Sequence, residues 1–267
     1  MAPSQYTHGH HESVLRSHTW RTVENSAAYL VPHLRAGLDV LDVGCGPGTI
    51  TLDLAERVRP GRVMGLDPSQ DVIATARGHA DDRGDTTTEL TTGDVYALAF
   101  ADDSFDVVHA HQVLQHLADP VAALREMARV TRPGGLVAAR DADYAAMCWW
   151  PLVPGLDRWL EVYEAVARSN DAEPDAGRRL LGWSQQAGLA DVTPSASVWC
   201  YATPAERDWW GSLWADRITR SDLATQAVDR GLSDADELAE LGRAWREWAA
   251  APDGWFTVVH GEILARV

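Results

Sequence analysis

The sequence has no lysine; all 23 of its basic residues are arginine. A chain without lysine forms no Schiff base through its own side chains, which excludes pyridoxal-phosphate and aldolase chemistry of that kind. It also cannot build a phosphate loop ending in Gly-Lys-Ser/Thr, or a dehydrogenase that depends on a Tyr–Lys pair. Cysteine is scarce as well. Cys45, Cys148 and Cys200 are too few and too scattered for a disulfide framework or a Cys-rich zinc site. No stretch approaches the roughly 18 apolar residues of a membrane span. The N-terminus lacks the basic stretch and apolar run of a signal peptide. A reduced, cytoplasmic protein is the expectation. Positive charge is short overall, with 23 Arg against 39 Asp+Glu and a formal net charge of −16. That balance disfavours nucleic acid and anionic membrane as partners, because both are held by basic faces.

What is present is ordinary for a folded protein. The 267 residues are 46% hydrophobic and 23% charged, enough for one large domain or two small ones with a real core. Residues 1–36 begin polar and become amphipathic, which predicts one or two short helices. From 38 to about 141, short apolar strands alternate with helices. Strands are expected at 38–44, 62–67, 86–92 (the weakest), 105–111 and 136–141. Helices are expected over 50–58, from Ser69 to just before Gly84, and from Asp119-Pro120 to Arg132-Pro133-Gly134-Gly135, with Asp119 as cap and Pro120 in the first turn. Strands separated by helices of this length make βαβ units and a parallel sheet. Beyond residue 147 the composition changes, since 11 of the 12 tryptophans lie at or after Trp149. Two more strands fit 192–201 and 255–267, with a helical stretch over 204–252 between them.

The most informative run is VLDVGCGPGTI at 40–50. A strand carrying Asp42 meets glycines at 44, 46 and 48, and a helix opens at once. Glycines there let a ligand approach the main-chain N–H groups of a helix N-terminus. The dinucleotide fingerprint Gly-x-Gly-x-x-Gly needs glycine at 49, where this chain has Thr49. Asp67 ends the second strand about 20 residues later, where a carboxylate can accept from both ribose hydroxyls. Asp94 follows the third strand and could accept from an adenine amino group. A ligand with adenine and ribose but no phosphate suits an acidic, lysine-free protein.

The runs DVGCGPG, LDPS, TGDVYALAFADDSFDVVHAHQVLQHLADP and RVTRPGG resemble the successive motifs of class I S-adenosylmethionine-dependent methyltransferases, nearest to the quinone-biosynthesis type that acts on small molecules. The resemblance covers about 38–141; the lead-in over HGHHESVLRSHTWRTVENSAAYLVPHL is similar to that of a subset. It implies a doubly wound, seven-stranded, mostly parallel α/β sheet with an antiparallel last strand, N-terminal helices, and a helical lid between the last two strands. The division it suggests is an N-terminal helical cap at 1–36, a cofactor-binding core at 37–147, and the rest of the same structural domain at 148–267, with the lid at about 204–252.

On that resemblance S-adenosylmethionine is the cofactor. Gly44, Gly46 and Gly48 shape the loop under its methionine end, Asp67 holds the ribose, and Pro68 packs near the adenine. Asp94 and Val95 meet the adenine edge and ring, His111 lies beside the methionine portion, and Tyr6 and Arg21 close the pocket. Candidate bases are His111, Asp141 and His116, in that order. Tyr144, Trp209, Trp210 and Trp214 are candidate contacts for an apolar or aromatic small-molecule acceptor, although a tryptophan stripe at helical spacing is more often core. Asp143 carries a weaker claim of the same kind, against a polar strand exit. His116 also reads as a packing or capping residue, and Cys45 as a small filler. His8, His10 and His11 lack a spaced carboxylate or thiolate partner, so no metal site is assigned. Gly211, Gly231 and Gly242 are candidate flexible points of the lid. The expected reaction is methyl transfer to O, N or C of a small molecule by a monomer or homodimer. The alternatives are a non-catalytic, methyltransferase-like partner protein, which should carry a spoiled loop, and a nucleotide-dependent oxidoreductase, which Thr49 and the missing lysine oppose. No Asn-Pro-Pro-Tyr or Asp-Pro-Pro-Tyr run points to nucleic-acid methylation.

Overall fold

The computed structural model describes residues 17–267. Tyr6 and the histidines at 8, 10 and 11 lie outside the described residues. Seven strands form one sheet: β1 Val40–Val43, β2 Val63–Asp67, β3 Glu89–Thr92, β4 Phe105–His111, β5 Thr131–Trp150, β6 Asp191–Tyr201 and β7 Trp255–Arg266, in the order β3-β2-β1-β4-β5-β7-β6. β1 pairs in parallel with β2 and β4, and so do β2 with β3 and β4 with β5. Only β7 runs against its neighbours β5 and β6. Every residue of β1 is buried, as expected of a central strand covered on both faces. The parallel part is the sheet that the spacing predicts, and the whole is the doubly wound, mostly parallel sheet that the resemblance implies.

The local signals act as physics requires. Ser69 accepts from the Val72 N–H to cap helix Gln70–Asp82. Asp119 accepts from the Ala122 N–H to cap Pro120–Val130. Two differences concern the second half of the chain. β5 is far longer than the expected 136–141, because β7 pairs with it from Leu136↔Arg266 to Trp150↔Trp255, through a register shift between Asp143 and Cys148. Two helices, Pro154–Arg168 and Leu180–Ala187, occupy a stretch for which no element is expected. In the first, Leu156, Trp159, Val162, Tyr163 and Val166 are buried at helical spacing.

The extended β5–β7 pair carries the sheet into a second core built on tryptophan. Trp159, Trp214, Trp245 and Trp248 are wholly buried. Trp159 meets Trp214 and Trp245 edge-on, with ring centroids 4.5 and 4.7 Å apart, a geometry favoured by aromatic quadrupoles. Helices Pro204–Arg220, Asp222–Asp229 and Ala235–Ala250 form the expected insertion between β6 and β7. Its glycines are not all flexible points. A Cβ on Gly211 would stand 2.6 Å from the Ala249 Cβ and 2.9 Å from the Trp245 carbonyl oxygen. One on Gly242 would stand 3.0 Å from the Thr219 methyl. Both let the 204–220 and 235–250 helices touch, and only Gly231, at φ +66°, sits in a turn. Gly211→Val is therefore expected to lower the urea midpoint with unchanged m, at a cost of about 1–3 kcal/mol. An unchanged midpoint with altered turnover would point back to a hinge.

Candidate active site

The site begins where β1 ends. The Gly44 and Cys45 N–H groups donate to the Leu66 carbonyl at 2.6 and 3.0 Å, so the glycine loop is stitched to the end of β2. Gly44 has φ +66°, and a Cβ there would stand 2.4 Å from a Val113 methyl; no other residue fits. Gly46, at φ +55°, has open space in the Cβ direction. Its N–H donates to Asp67 Oδ2 at 3.2 Å, while Asp67 Oδ1 accepts from the Ser69 N–H at 3.0 Å. Loop and acid thus meet at one edge of a cavity of about 810 Å³. Gly48 shapes the turn from behind, against Ala76, and is not in the cavity wall.

The other acids fall into place along β1 and β3. Asp94 Oδ1 accepts from the Tyr96 N–H at 2.9 Å, which fixes the turn after β3 beside buried Val95. Asp42 is committed inward: Oδ1 lies 2.7 Å from His109 Nδ1 and Oδ2 accepts from the Thr51 hydroxyl at 2.6 Å. Cys45 is buried in the loop, and burial pushes its thiol well above the ordinary range. It acts as filler, since the nucleophile would be the thiolate.

Beyond Asp67, Pro68, Asp94 and Val95 the cavity passes Gly44, Arg21 and His111 and ends among Tyr144, Met147, Trp199, Trp210, Arg217 and Val258. The sequence-derived candidates divide accordingly. Arg21, Gly44, Gly46, Asp67, Pro68, Asp94, Val95, His111, His116, Tyr144 and Trp210 all line it. Trp214 does not: it is wholly buried in the tryptophan core. Trp209 lies outside too, packed on Trp20 and Tyr201. Asp143 pairs with Arg178 instead.

The three candidate bases differ sharply. His111, the last residue of β4, lines the cavity with both ring nitrogens buried and without a partner. Burial, reinforced by Arg21 and Arg140, holds its pKa well below 6.5, so the ring is neutral at physiological pH. His116 is engaged. The Gln115 carbonyl oxygen accepts from the Ala142 N–H at 3.1 Å, which turns the Gln115 amide nitrogen toward His116 Nε2 at 3.0 Å and occupies that lone pair. Asp141 is the correction. It is wholly buried and absent from the cavity wall, and its Oδ1 accepts from the Gln115 N–H at 3.1 Å. Burial pushes its carboxyl up to about 7. It stands beneath Gln115, and its Oδ2 is buried without a hydrogen-bond partner.

Three residues carry more of the site than their sequence positions suggest. Gln112 follows β4 with φ +53°, a left-handed conformation unusual for glutamine. There its Oε1 accepts from Arg21 at 2.5 Å and its amide nitrogen meets His260 Nε2 at 2.9 Å. Trp199 of β6 forms the cavity wall, edge-on to His260 at 4.3 Å. Gln115 joins β5 to His116. The two glutamines follow a buried strand in the run HQVLQH, which is the available signal; nothing in the β6 sequence marks Trp199.

A sheet of this order, with a glycine loop after β1 and acids after β2 and β3, defines a class I methyltransferase. A family model described as a methyltransferase domain matches residues 34–187. An uncharacterized methyltransferase of Schizosaccharomyces pombe is 34% identical over 267 residues, covering 97% of this chain and 95% of that protein. A ubiquinone/menaquinone biosynthesis C-methyltransferase of Bdellovibrio bacteriovorus is 42% identical over 123 residues, 45% of this chain and 49% of that one. The solved YcgJ protein of Bacillus subtilis shares the fold at TM-score 0.57 and 18% identity, covering 90% of this chain and 97% of its own. The chain belongs to the methyltransferase-domain family and is a methyltransferase dependent on S-adenosylmethionine. No helix among the described residues is long and apolar enough to cross a membrane.

The raised Asp141 carboxyl has a measurable consequence. Its folded pKa of about 7 exceeds the ordinary 3.8, so the folded state keeps a proton that the unfolded chain has lost. Its contribution to stability falls as pH rises from about 4 to 7 and is level above that. Asp141→Asn removes this slope and keeps an acceptor for Gln115. The variant is expected to gain on the parent protein by more than about 1 kcal/mol between pH 4 and 8, as read by urea denaturation at each pH. A pH-independent difference between the two proteins would contradict the assignment. The buried histidines slope the other way, equally in both proteins.

Proposed function

We propose that the protein transfers a methyl group from S-adenosylmethionine to a small aromatic or apolar acceptor, with His111 as general base. The observation that carries this reading is one continuous cavity running from Asp67 and Asp94, past the unpartnered imidazole of His111, to Trp210 and Tyr144. S-adenosylmethionine supplies an activated sulfonium methyl. The protein's task is then alignment of the acceptor and removal of any proton it carries.

The residues present fit that cofactor. The Asp67 carboxylate can exchange its backbone donors for two ribose hydroxyls, and the Gly46 backbone leaves room for close approach. Asp94 and Val95 offer an acceptor and an apolar face to adenine, with Pro68 across from them. Arg21, fixed by Gln112, closes the cavity from the N-terminal segment. Tyr144 and Trp210 hold the acceptor flat against an apolar wall, where positioning contributes up to roughly 7–11 kcal/mol in ideal cases. His111 stands between the two halves. His116 positions the wall through Gln115 and takes no proton.

Calorimetric titration with S-adenosylmethionine and S-adenosylhomocysteine tests the cofactor half. Binding by the parent protein is expected to weaken about tenfold to a hundredfold in Asp67→Ala, matching about 1.5–3 kcal/mol for a hydrogen bond to a charged group. Undiminished binding by the variant, or none by the folded parent, sinks the assignment. For an acceptor that must lose a proton, His111→Asn is expected to lower kcat by about 10²–10⁴ while S-adenosylhomocysteine still binds. Unchanged turnover would remove His111 from the chemistry.

A further inference from the structure

A chain of hydrogen bonds joins Arg21 to β7 through Gln112 and His260, and its direction is fixed at both ends. Resting on the function just proposed, we infer that Gln112 and His260 are positioning residues for methyl transfer. His260, held as the neutral Nδ1–H tautomer, orients the Gln112 amide, and the amide sets the Arg21 guanidinium in the cavity wall.

One end of the chain is a carbonyl. His260 Nδ1 lies 3.1 Å from the Val258 carbonyl oxygen. That oxygen only accepts, so Nδ1 carries the hydrogen and donates. Nε2 of the neutral ring is then a lone pair, and the Gln112 amide nitrogen donates to it at 2.9 Å. The other end is a guanidinium, which only donates: Arg21 Nη2 lies 2.5 Å from Gln112 Oε1. The two ends are independent, yet they dictate the same orientation of the Gln112 amide. Amide and imidazole can each be placed in two ways, and one combination satisfies all three contacts.

The middle of the chain is held in an uncommon backbone conformation. Gln112 stands at φ +53°, a region that costs a residue with a side chain some strain. Its own N–H donates to the Arg140 carbonyl at 2.7 Å, which pins the turn after β4 to β5. Glycine would suit that backbone better and would make neither side-chain contact.

His260 is built in as the anchor. It is wholly buried, in register with Ala142 of β5 and Ser197 of β6, and edge-on to Trp199. Arg21 and Gln112 are among the described residues that line the cavity, and His260 is not, so its influence on a ligand passes through them. Among the described residues, the titratable and charged groups around the ring are Arg21, His111 of β4, Arg140 of β5 and, two residues along the same face of β7, Glu262. Burial, then Arg140 and Arg21, hold its pKa well below 6.5. A proton on Nε2 would turn the amide over and set its NH₂ against the guanidinium, donor to donor. Arg21 has further partners, so loss of the amide weakens its placement without abolishing it.

Two measurements on the full chain test this. Imidazole nitrogen NMR, with His260 assigned from His260→Gln, is expected to show a neutral Nδ1–H ring from about pH 6 to 8. An Nε2–H ring or an imidazolium at neutral pH overturns the inference. Calorimetric titration with S-adenosylhomocysteine reads the coupling. Arg21→Ala and Gln112→Gly are each expected to weaken binding about fivefold to tenfold. The double variant is expected to bind no worse than the weaker of the two. His260→Leu is expected to lower affinity in the parent protein and not in Arg21→Ala. His260→Gln, whose amide oxygen reaches the place of Nε2, is expected to restore most of what His260→Leu loses, a rescue that a role in packing alone would not give. Additive losses, or unchanged affinity in Gln112→Gly, overturn the inference. Absence of binding by the parent protein counts against the cofactor assignment and takes the inference with it, while the NMR result separately tests the chain of hydrogen bonds.

Discussion

Two backbone hydrogen bonds, from Gly44 and Cys45 to the Leu66 carbonyl, set the geometry on which the glycine-loop end of the cavity depends. They hold the loop after β1 against the end of β2, and so place the Gly46 N–H within reach of Asp67. A backbone pinned this way costs little to organise when a ligand arrives, because the loop's conformation is already fixed by the sheet. Only glycine can occupy position 44 under that constraint, given the left-handed backbone and the Val113 methyl against it. The central strand behind the loop is buried on both faces and cannot shift without disturbing the core.

Strand parity then decides which polar residues see the cavity. His111 pairs in register with Arg140, and Arg140 with Glu262, so these three side chains share one face of the sheet. Asp141, one residue further along β5, points to the other face and meets Gln115 there. The same one-residue step separates an imidazole in the cavity wall from a carboxyl raised by burial and turned toward Gln115. Burying Arg140 and Glu262 together is costly unless their polar atoms are paired, and Ser195 and Ser197 supply part of that pairing.

Much of this architecture is legible in the sequence because βαβ units announce themselves through strand length, caps and glycines. The succession of strands 1 to 5 along the chain, the caps at Ser69 and Asp119, and the placement of Asp67 and Asp94 at strand ends all follow from local signals. The misread features depend on partners far along the chain. The true length of β5 follows from pairing with β7, more than a hundred residues later. Asp141 sits at the strand end where ligands of open α/β sheets gather, but its face depends on register with β4. The tryptophans divide between core and cavity according to how the insertion helices dock: Trp210 reaches the wall, while Trp214, one turn on, is sealed inside. The helix over 154–168 shows a clear apolar period and could have been read.

The tryptophan-rich half also explains how an insertion can close a cavity without being loose. Gly211 and Gly242 bring the 204–220 and 235–250 helices into contact, and Trp245, wedged against Trp159 and Phe256, ties both to the β5–β7 extension. A helix pair packed this closely behaves as a wall, and interiors at such density transmit strain instead of yielding to it. The segment carrying Ser17, His18 and Arg21 lines the cavity, and its contacts to the described residues include Arg217 to Ser17, Thr49 to the His18 carbonyl, and Arg21 to Gln112. Trp20 adds one aromatic contact patch against Trp199, Tyr201 and Trp209. Those contacts tie the segment to the 49–58 helix, to the turn after β4 and to the 204–220 helix, so one short stretch of chain joins the glycine-loop end of the sheet to the helical insertion.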